Sequence, residues 1–565
     1  MKRWIQHQRT LKSVLACMLV VSLPAAAADQ PVTSDSAESR PVPAASEIDQ
    51  LKKMLADQQR QIDELRRALL ERNEAPASIH PSTGQVASTT AIVPPGPAPA
   101  AGPAFAPPAI APPQAKPTSD SSPLQLKIGD AYITPVGFMD FTSIIRSTNP
   151  GSGIGTNFGS VPYGNVQAGA LSEWRLSPQN SRVGLRVDAL VKDWKVLGYL
   201  ETDLLGQIGS PPNGGLAVSS NPYPMRLRLY WVDLKKGSSE ILAGQTWSLM
   251  TPNRRGLSPL PGDLFYSQDI DVNYQLGLTW GRIPELRYVY HPSDKVAFGV
   301  ALSNSEPYVG GANGGSAAVL PAWVGAANAT SGAVLGGQIN NGSSVISSAA
   351  LHPDIIAKIA FDPNSKVHFE IAGVEITNKV ANPTTTPAFK TFSKVGGGGS
   401  VNLNVEVAKN FRLVTNNFYS SGGGRYIFGQ APDFILRSNG DISLVHSAST
   451  VTGFEATVGK TLFYGYYGGV YIARNLALDS NGARIGYGPI ASDGQNRAIQ
   501  EATFGTNTTL MRDPKWGAIN LMFQYSYLQR NPWLVTGTAP SDAHVHMGFF
   551  NLRYTLPGSA PTLGK

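Results

Sequence analysis

The stretch Ser181–Leu205, SRVGLRVDALVKDWKVLGYLETDLL, decides the fold. Val183, Leu185, Val187 and Ala189 share one parity, and Arg182, Arg186 and Asp188 take the other. After Lys192-Asp193 the alternation resumes, with Val196, Leu200 and Leu204 opposite Lys195, Glu201 and Asp203. Side chains alternate across a strand, so this reads as two strands, each with one apolar and one charged face. The two faces call for two different solvents.

The pattern recurs downstream. DIIAKIAF (Asp354–Phe361) sets Ile355, Ala357, Ile359 and Phe361 against Asp354 and Lys358, and VHFEIAG sets Val367, Phe369 and Ile371 against His368 and Glu370. WGAINLMFQYSYL sets Ile519, Leu521, Phe523, Tyr525 and Tyr527 against Asn520, Gln524 and Ser526. Runs of about nine to twelve residues match a tilted membrane-crossing strand.

Short breaks fall at Lys192-Asp193, Lys236-Gly237-Ser238, Pro292-Ser293-Asp294, Asp362-Pro363-Asn364, Lys409-Asn410, Lys460-Thr461 and Asp513-Pro514. Long Gly, Ser, Asn and Pro-rich stretches lie between them. Seven short turns and eight long loops predict sixteen strands, starting near residues 135, 180, 194, 225, 239, 281, 295, 353, 366, 397, 411, 450, 462, 500, 515 and 544. An even count with one set of short turns is the layout of an all-β transmembrane antiparallel barrel. A soluble sandwich would also alternate, but it needs neither the loop asymmetry nor tyrosine-rich strand ends. Those ends (YVY at 288–290, YGYYGG at 464–469, YSY at 525–527) are expected to form aromatic girdles. The glycine runs at 396–399 and 422–424 are expected where strands and loops begin.

Lipid is then the solvent for Val183, Leu185 and Val187. About sixteen strands leave an aqueous lumen. The expected pore-lining set is Arg182, Arg186, Asp188, Lys195, Glu201, Asp203, Arg226, Arg228, Glu285 and Arg287. Two compatible readings apply to it: an arginine ladder whose field favours anions, or arginine–carboxylate pairs that hold the wall. Between the fifth and sixth strands, Leu249–Trp280 carries Arg254, Arg255, Asp263, Asp269 and Asp271 among aromatics. This loop is the candidate constriction.

The N-terminal region is of another kind. Lys2, Arg3, Arg9 and Lys12 precede an apolar run, Val14–Ala28, that ends in small residues, as a signal peptide over 1–28 does. Taking those four cations from the formal +7 leaves +3, so the basic pI is no argument for nucleic acid. The single cysteine, Cys17, lies in the same segment, which excludes a disulfide scaffold and thiol chemistry from the mature chain. Residues 29–45 are polar and expected to be disordered. Over 46–74, Ile48, Leu55, Ile62 and Leu69 fill one heptad position, and Leu51, Gln58 and Leu65 the other. That thin seam predicts a self-associating α-helical coiled coil, and it leaves dimer and trimer open. Residues 75–123 hold thirteen prolines and read as an extended Pro/Ala-rich spacer. The barrel is expected over 124–557.

With SRVGLRVDA, GYLETDLLG, RLRLYWVDL and LAGQTWSLM in view, the chain resembles the DcaP-like trimeric outer-membrane porins, at motif level across about residues 180–250 and in layout over the rest. The resemblance implies a homotrimer, a periplasmic coiled coil and passage of small, often anionic solutes such as dicarboxylates. The long spacer departs from that pattern. So does the chain's end: Phe550, Leu552, Tyr554 and Leu556 share a face as in a closing strand, but Pro557 and the tail 558–565 follow.

The histidines outside the signal are scattered, and only His368 is expected inward in a strand interior, so no Ser–His–acid constellation of an enzyme is legible. His544 and His546 share a face, but two ligands do not make a metal site. No cofactor is expected. Outer-membrane lipid and small solutes are the expected partners, with the cell wall reached through the periplasmic segment. The competing non-transport reading is an envelope-anchoring barrel, for which charges in the lumen have no use.

Overall fold

The computed structural model describes residue 60 and residues 123–206, 223–260, 262, 264–269, 274–311, 315–324, 351–382, 384–385, 390–490 and 494–558. The signal peptide, the spacer to residue 122, and the seam residues Ile48, Leu51, Leu55, Gln58, Ile62, Leu65 and Leu69 lie outside them, as do Asp263, Asp271 and the tail from 559.

Sixteen antiparallel strands close into a ring. They are β1 (Ala131–Arg146), β2 (Arg182–Val191), β3 (Trp194–Asp203), β4 (Arg226–Lys236), β5 (Ser239–Trp247), β6 (Arg282–Ser293), β7 (Val296–Ser303) and β8 (Asp354–Asn364). The series continues with β9 (Val367–Asn382), β10 (Lys390–Ala408), β11 (Phe411–Ser421), β12 (His446–Val458), β13 (Thr461–Ile472), β14 (Asn496–Asp513), β15 (Gly517–Pro532) and β16 (Ala543–Thr555). Each pairs with its sequence neighbours. The ring shuts where β1 meets β16, in a register running from Phe138↔Thr555 to Arg146↔Met547. Closure removes both sheet edges, as hydrocarbon requires of a spanning sheet. At that seam Arg553 donates to Asp140 at 2.6 Å, with both side chains buried.

All seven short turns fall at or within about two residues of the expected breaks, those after Ser293 and Asn364 slightly later because the strands run through Pro292 and Pro363, and the eight long connections leave from the opposite end. Lys192 and Asn410 take left-handed backbone (φ 57° and 63°) at two of the turns, letting the chain reverse within two residues. Strand length departs from expectation. The strands run from 8 residues in β7 to 19 in β10, because β9, β10, β14 and β15 continue pairing past the short strands at the long-loop end. The glycines at 396–399 therefore lie inside β10 rather than at its start.

The outer face is apolar. Val183, Leu185, Phe298, Val300, Leu302, Ile359, Phe361, Ile371, Phe463, Phe523 and Leu552 are all exposed. Each such side chain forgoes about 1.5–3 kcal/mol if left in water, so a belt of this size is a lipid-facing surface. Tyr288, Tyr290, Tyr467, Tyr471 and Tyr525 are exposed among them. Tyr464 and Tyr466 correct the girdle expectation. They fall on the inward parity of β13 and are buried.

The interior is not uniformly polar. Inward Ile356, Ala360, Ile376, Ile472 and Leu528 pack with loop residues Phe158, Val161, Leu249, Met250, Leu257, Leu276, Tyr426 and Ile427 in one buried cluster. The connections that carry these loop residues thus fold into the ring and fill part of it.

Candidate functional site

Every strand residue expected to face inward lies on the low-exposure parity of its strand. Most are buried, and Arg186, Lys195 and Arg226 are half-buried. The arginines are paired. Arg228, with no exposed surface, donates to Glu201 at 2.8 Å and to Asp203 at 2.7 Å. Arg226 forks onto the two Asp203 oxygens at 3.0 and 2.5 Å. Arg186 does the same to Asp188 at 2.8 and 2.7 Å, Arg287 bonds Glu285 at 2.8 Å, and Arg182 stands 3.8 Å from Glu201. Lys195 sits opposite Lys235, which bonds Glu240 at 3.2 Å. The wall of β2–β6 thus carries its charge largely as local pairs. Taking one partner away from such a buried pair costs far more than the pair contributes as a whole.

The connection 248–281, between β5 and β6, crosses to the other side of the ring. It makes a hydrogen bond to inward side chains of eight consecutive strands. The Asn253 N–H donates to Glu370 of β9 at 3.1 Å, Gly256 N–H to Asp362 of β8 at 2.9 Å, and Asn402 of β10 to the Asn253 carbonyl at 3.1 Å. Thr279 N–H donates to Asn416 of β11 at 3.0 Å, and Arg254 to Glu455 of β12 at 2.8 Å. Tyr266 N–H reaches the Tyr466 hydroxyl of β13 at 3.2 Å, Gln275 reaches Glu501 of β14 at 2.8 Å, and Gln268 N–H reaches Gln524 of β15 at 2.8 Å. A segment held by all these walls lies inside the barrel.

Two glycines allow the close approach. A Cβ on Gly468 would sit 2.0 Å from the Leu276 carbonyl oxygen, and one on Gly277 (φ 87°) would sit 2.3 Å from that of Thr450. Only backbone without a side chain fits at that crossing.

Of the loop residues expected to constrict the lumen, Arg254 pairs with Glu455 and lies over the Tyr266 ring at 5.0 Å, whereas Arg255 is exposed. Asp269 is buried. It accepts from Gln524 at 2.9 Å and Ser526 at 3.0 Å, and it shares a hydrogen bond with Glu501. Burial pushes the Asp269 carboxyl up to about 6. Two carboxyls that hydrogen-bond each other need a proton between them.

The anchors of the far wall were not legible as anchors. Glu370, Asp362 and His368 form one buried cluster with Lys358, with His368 bonded to Asp362 at 2.8 Å and Lys358 to Glu370 at 2.9 Å. Parity marks these groups as inward, but their partners come from a loop more than a hundred residues away. A second buried set, Arg425 with Asp354 (3.5 Å) and Asp433 (2.8 Å), ties the connection 422–445 inward, and burial pushes the Asp433 carboxyl to about 7. His544 and His546 face outward beside Tyr525 and Tyr527, away from the lumen. Among the described residues no group of three or more His, Cys, Asp or Glu could hold a metal ion.

No family model and no curated protein matches the sequence. Among solved structures, the outer membrane channel DcaP of Acinetobacter baumannii aligns with a TM-score of 0.52 at 16% identity, covering 75% of this chain and 97% of that one. An anion-selective porin from Comamonas acidovorans aligns with a TM-score of 0.41 at 11% identity, over 75% of this chain and 99% of that one. OprB of Pseudomonas putida gives 0.39 and 11%, over 74% and 94%. The chain shares the closed sixteen-stranded barrel fold of the DcaP channel.

Proposed function

We propose that the protein is an outer-membrane porin, a diffusion channel for small polar solutes with a preference for anions such as dicarboxylates. The observation that carries the reading is the inward loop 248–281, bonded to eight strands of a closed, lipid-facing ring. A barrel that only anchors has no need of a charged segment held across its interior. On this reading Arg254, Arg255, Asp263, Asp269 and Asp271 belong to the constriction. The half-buried Arg186, Lys195 and Arg226 face the open part of the path, and the buried pairs behind them set its wall. The segment 1–28 directs export, the seam at 46–74 associates three copies in the periplasm, and the spacer 75–123 separates it from the barrel.

Planar-bilayer recording of the purified, folded protein under a potassium chloride gradient tests this. Current arriving in steps of three with a reversal potential toward chloride is expected. Cation preference removes the anion assignment and keeps the channel. Absence of current from folded, heat-modifiable protein favours the second reading, an envelope anchor. One observation supports that reading: the ladder arginines are matched to carboxylates, as a purely structural wall would have them.

A further inference from the structure

Arg282 opens β6 beside the inner end of the loop, and it differs from the arginines around it. Its Nη1 is shut from solvent with no hydrogen-bond partner, and its guanidinium has no ion pair among the described residues. The charged groups that face it are Arg226, Arg228 and Asp203, and Asp203 already bonds both of those arginines. Arg282 is half-buried, and with its Nη1 shut off it has no counter-charge of its own among the described residues.

Its other neighbours are aromatic. The guanidinium lies 6.0 Å from the centre of the Trp247 ring. Trp247 meets Trp280 edge-on at 5.5 Å and Tyr274 at 5.9 Å, and Tyr274 meets Trp280 at 4.7 Å. Phe428 stacks on Trp280 at 5.4 Å. Phe428 holds left-handed backbone (φ 58°), a conformation a bulky side chain adopts only when its surroundings impose it. Tyr274 is buried, whereas Trp247, Trp280 and Phe428 keep open surface. A cation without an ion pair among the described residues thus borders a wall of partly open rings.

We propose that Arg282 and the aromatic wall of Trp247, Tyr274, Trp280 and Phe428 form a binding site for a small aromatic carboxylate. The carboxylate pairs with the Nε–Nη2 edge of Arg282, which unlike Nη1 is not shut off, and the flat ring lies against Trp247 and Trp280. This deepens the channel reading and rests on it for how the solute arrives. A loop clamp would need the rings but would gain nothing from an unpaired arginine beside them.

The test is calorimetric titration of the folded, detergent-extracted protein with benzoate and with cyclohexanecarboxylate, which has the same charge and carbon count but no flat ring. Benzoate is expected to bind about two- to tenfold more tightly. Arg282→Gln is expected to weaken benzoate about ten- to hundredfold while heat-modifiability is unchanged. Arg282→Lys, which keeps the charge and loses the fork, should fall between. It serves in place of Arg282→Gln if that variant does not fold. Equal affinity for the two acids, or no loss in either variant, overturns the site. Bilayer current is read on the same samples. Absent benzoate binding with current intact sinks this site alone, whereas binding without current sinks the channel reading and leaves the site standing.

Discussion

The two sides of the barrel handle inward charge differently. Along β2–β6 the inward arginines and carboxylates, Arg282 at the start of β6 excepted, satisfy one another, within a strand as in Arg186–Asp188 or across adjacent strands as in Arg228–Glu201. Along β8–β15 the inward acids and amides turn to the loop instead, and Glu370, Asp362, Glu455 and Glu501 all bond residues between 253 and 276. One wall is closed on itself, and the other is completed by a segment that could leave. The first should therefore govern the stability of the ring, and the second the position of the loop.

The largest expected effect comes from the self-paired wall. Arg228→Met removes the fully buried cation that bridges Glu201 and Asp203, leaving Asp203 to Arg226 and Glu201 to the more distant Arg182, a loss of about 3 kcal/mol. Urea titration, or the temperature at which the folded gel form disappears, would read it. If the variant is as stable as the parent, the pairs do not hold the wall and the contrast collapses.

On the far wall, Glu455→Gln should cost about 1–3 kcal/mol, and the cost should fall on the loop. Single-channel current would become noisier and protease would cut near Arg254, with the unfolding midpoint nearly unmoved. A midpoint that drops as far as for Arg228→Met would mean that loop and ring form one cooperative unit.

These two sides were also unequally legible. Strand number, turn positions and facing follow from period-two alternation, which any strand between lipid and water must write into its sequence. Parity therefore puts Arg182, Arg228 and Glu285 on the face that the structure buries. Asp140 and Arg553 are not singled out, because their pairing across the seam depends on ring closure, which no local pattern encodes. The loop anchors escaped because Glu455 and Arg254 are 201 residues apart, and nothing in either neighbourhood names the other. Tyr464 and Tyr466 misled for a related reason. Tyrosine suits a lipid interface, but here their hydroxyls meet Gln524 and Glu455. The long strands escaped because residues 390–396 pair with β9 alone, past the point where pairing with β11 stops at Gly397, in a stretch whose sequence does not alternate.

A smaller effect should follow pH. The Asp269 carboxyl, raised by burial to about 6, holds its proton in the docked loop after an exposed aspartate has lost it. Docking is then fully supported below about pH 4 and loses support as pH rises toward 6. Channel noise should increase across that interval and level off above it. Asp269→Asn, which keeps a hydrogen-bonding amide and has no proton to lose, should flatten the profile. A profile unchanged by Asp269→Asn would assign the titration elsewhere, with Glu501, which shares its hydrogen bond, the next group to replace.

Ion selectivity should respond least, and there the comparison is most exposed to failure. Arg226 is half-buried but forks onto Asp203, so its field largely closes on its partner. Arg255, exposed on the loop, has no ion pair among the described residues, so its charge is open to the solution. Arg255→Gln should therefore lower chloride preference more than Arg226→Gln. The reversal potential should be read near 0.1 M salt, where fields extend about 10 Å, and not at 1 M, where they extend about 3 Å. The opposite order would mean that Asp203 is already neutralised by Arg228 and that Arg226 is in effect a free cation. The near wall would then be a working ladder in spite of its pairs, and selectivity would belong to the fixed strands and not to the loop.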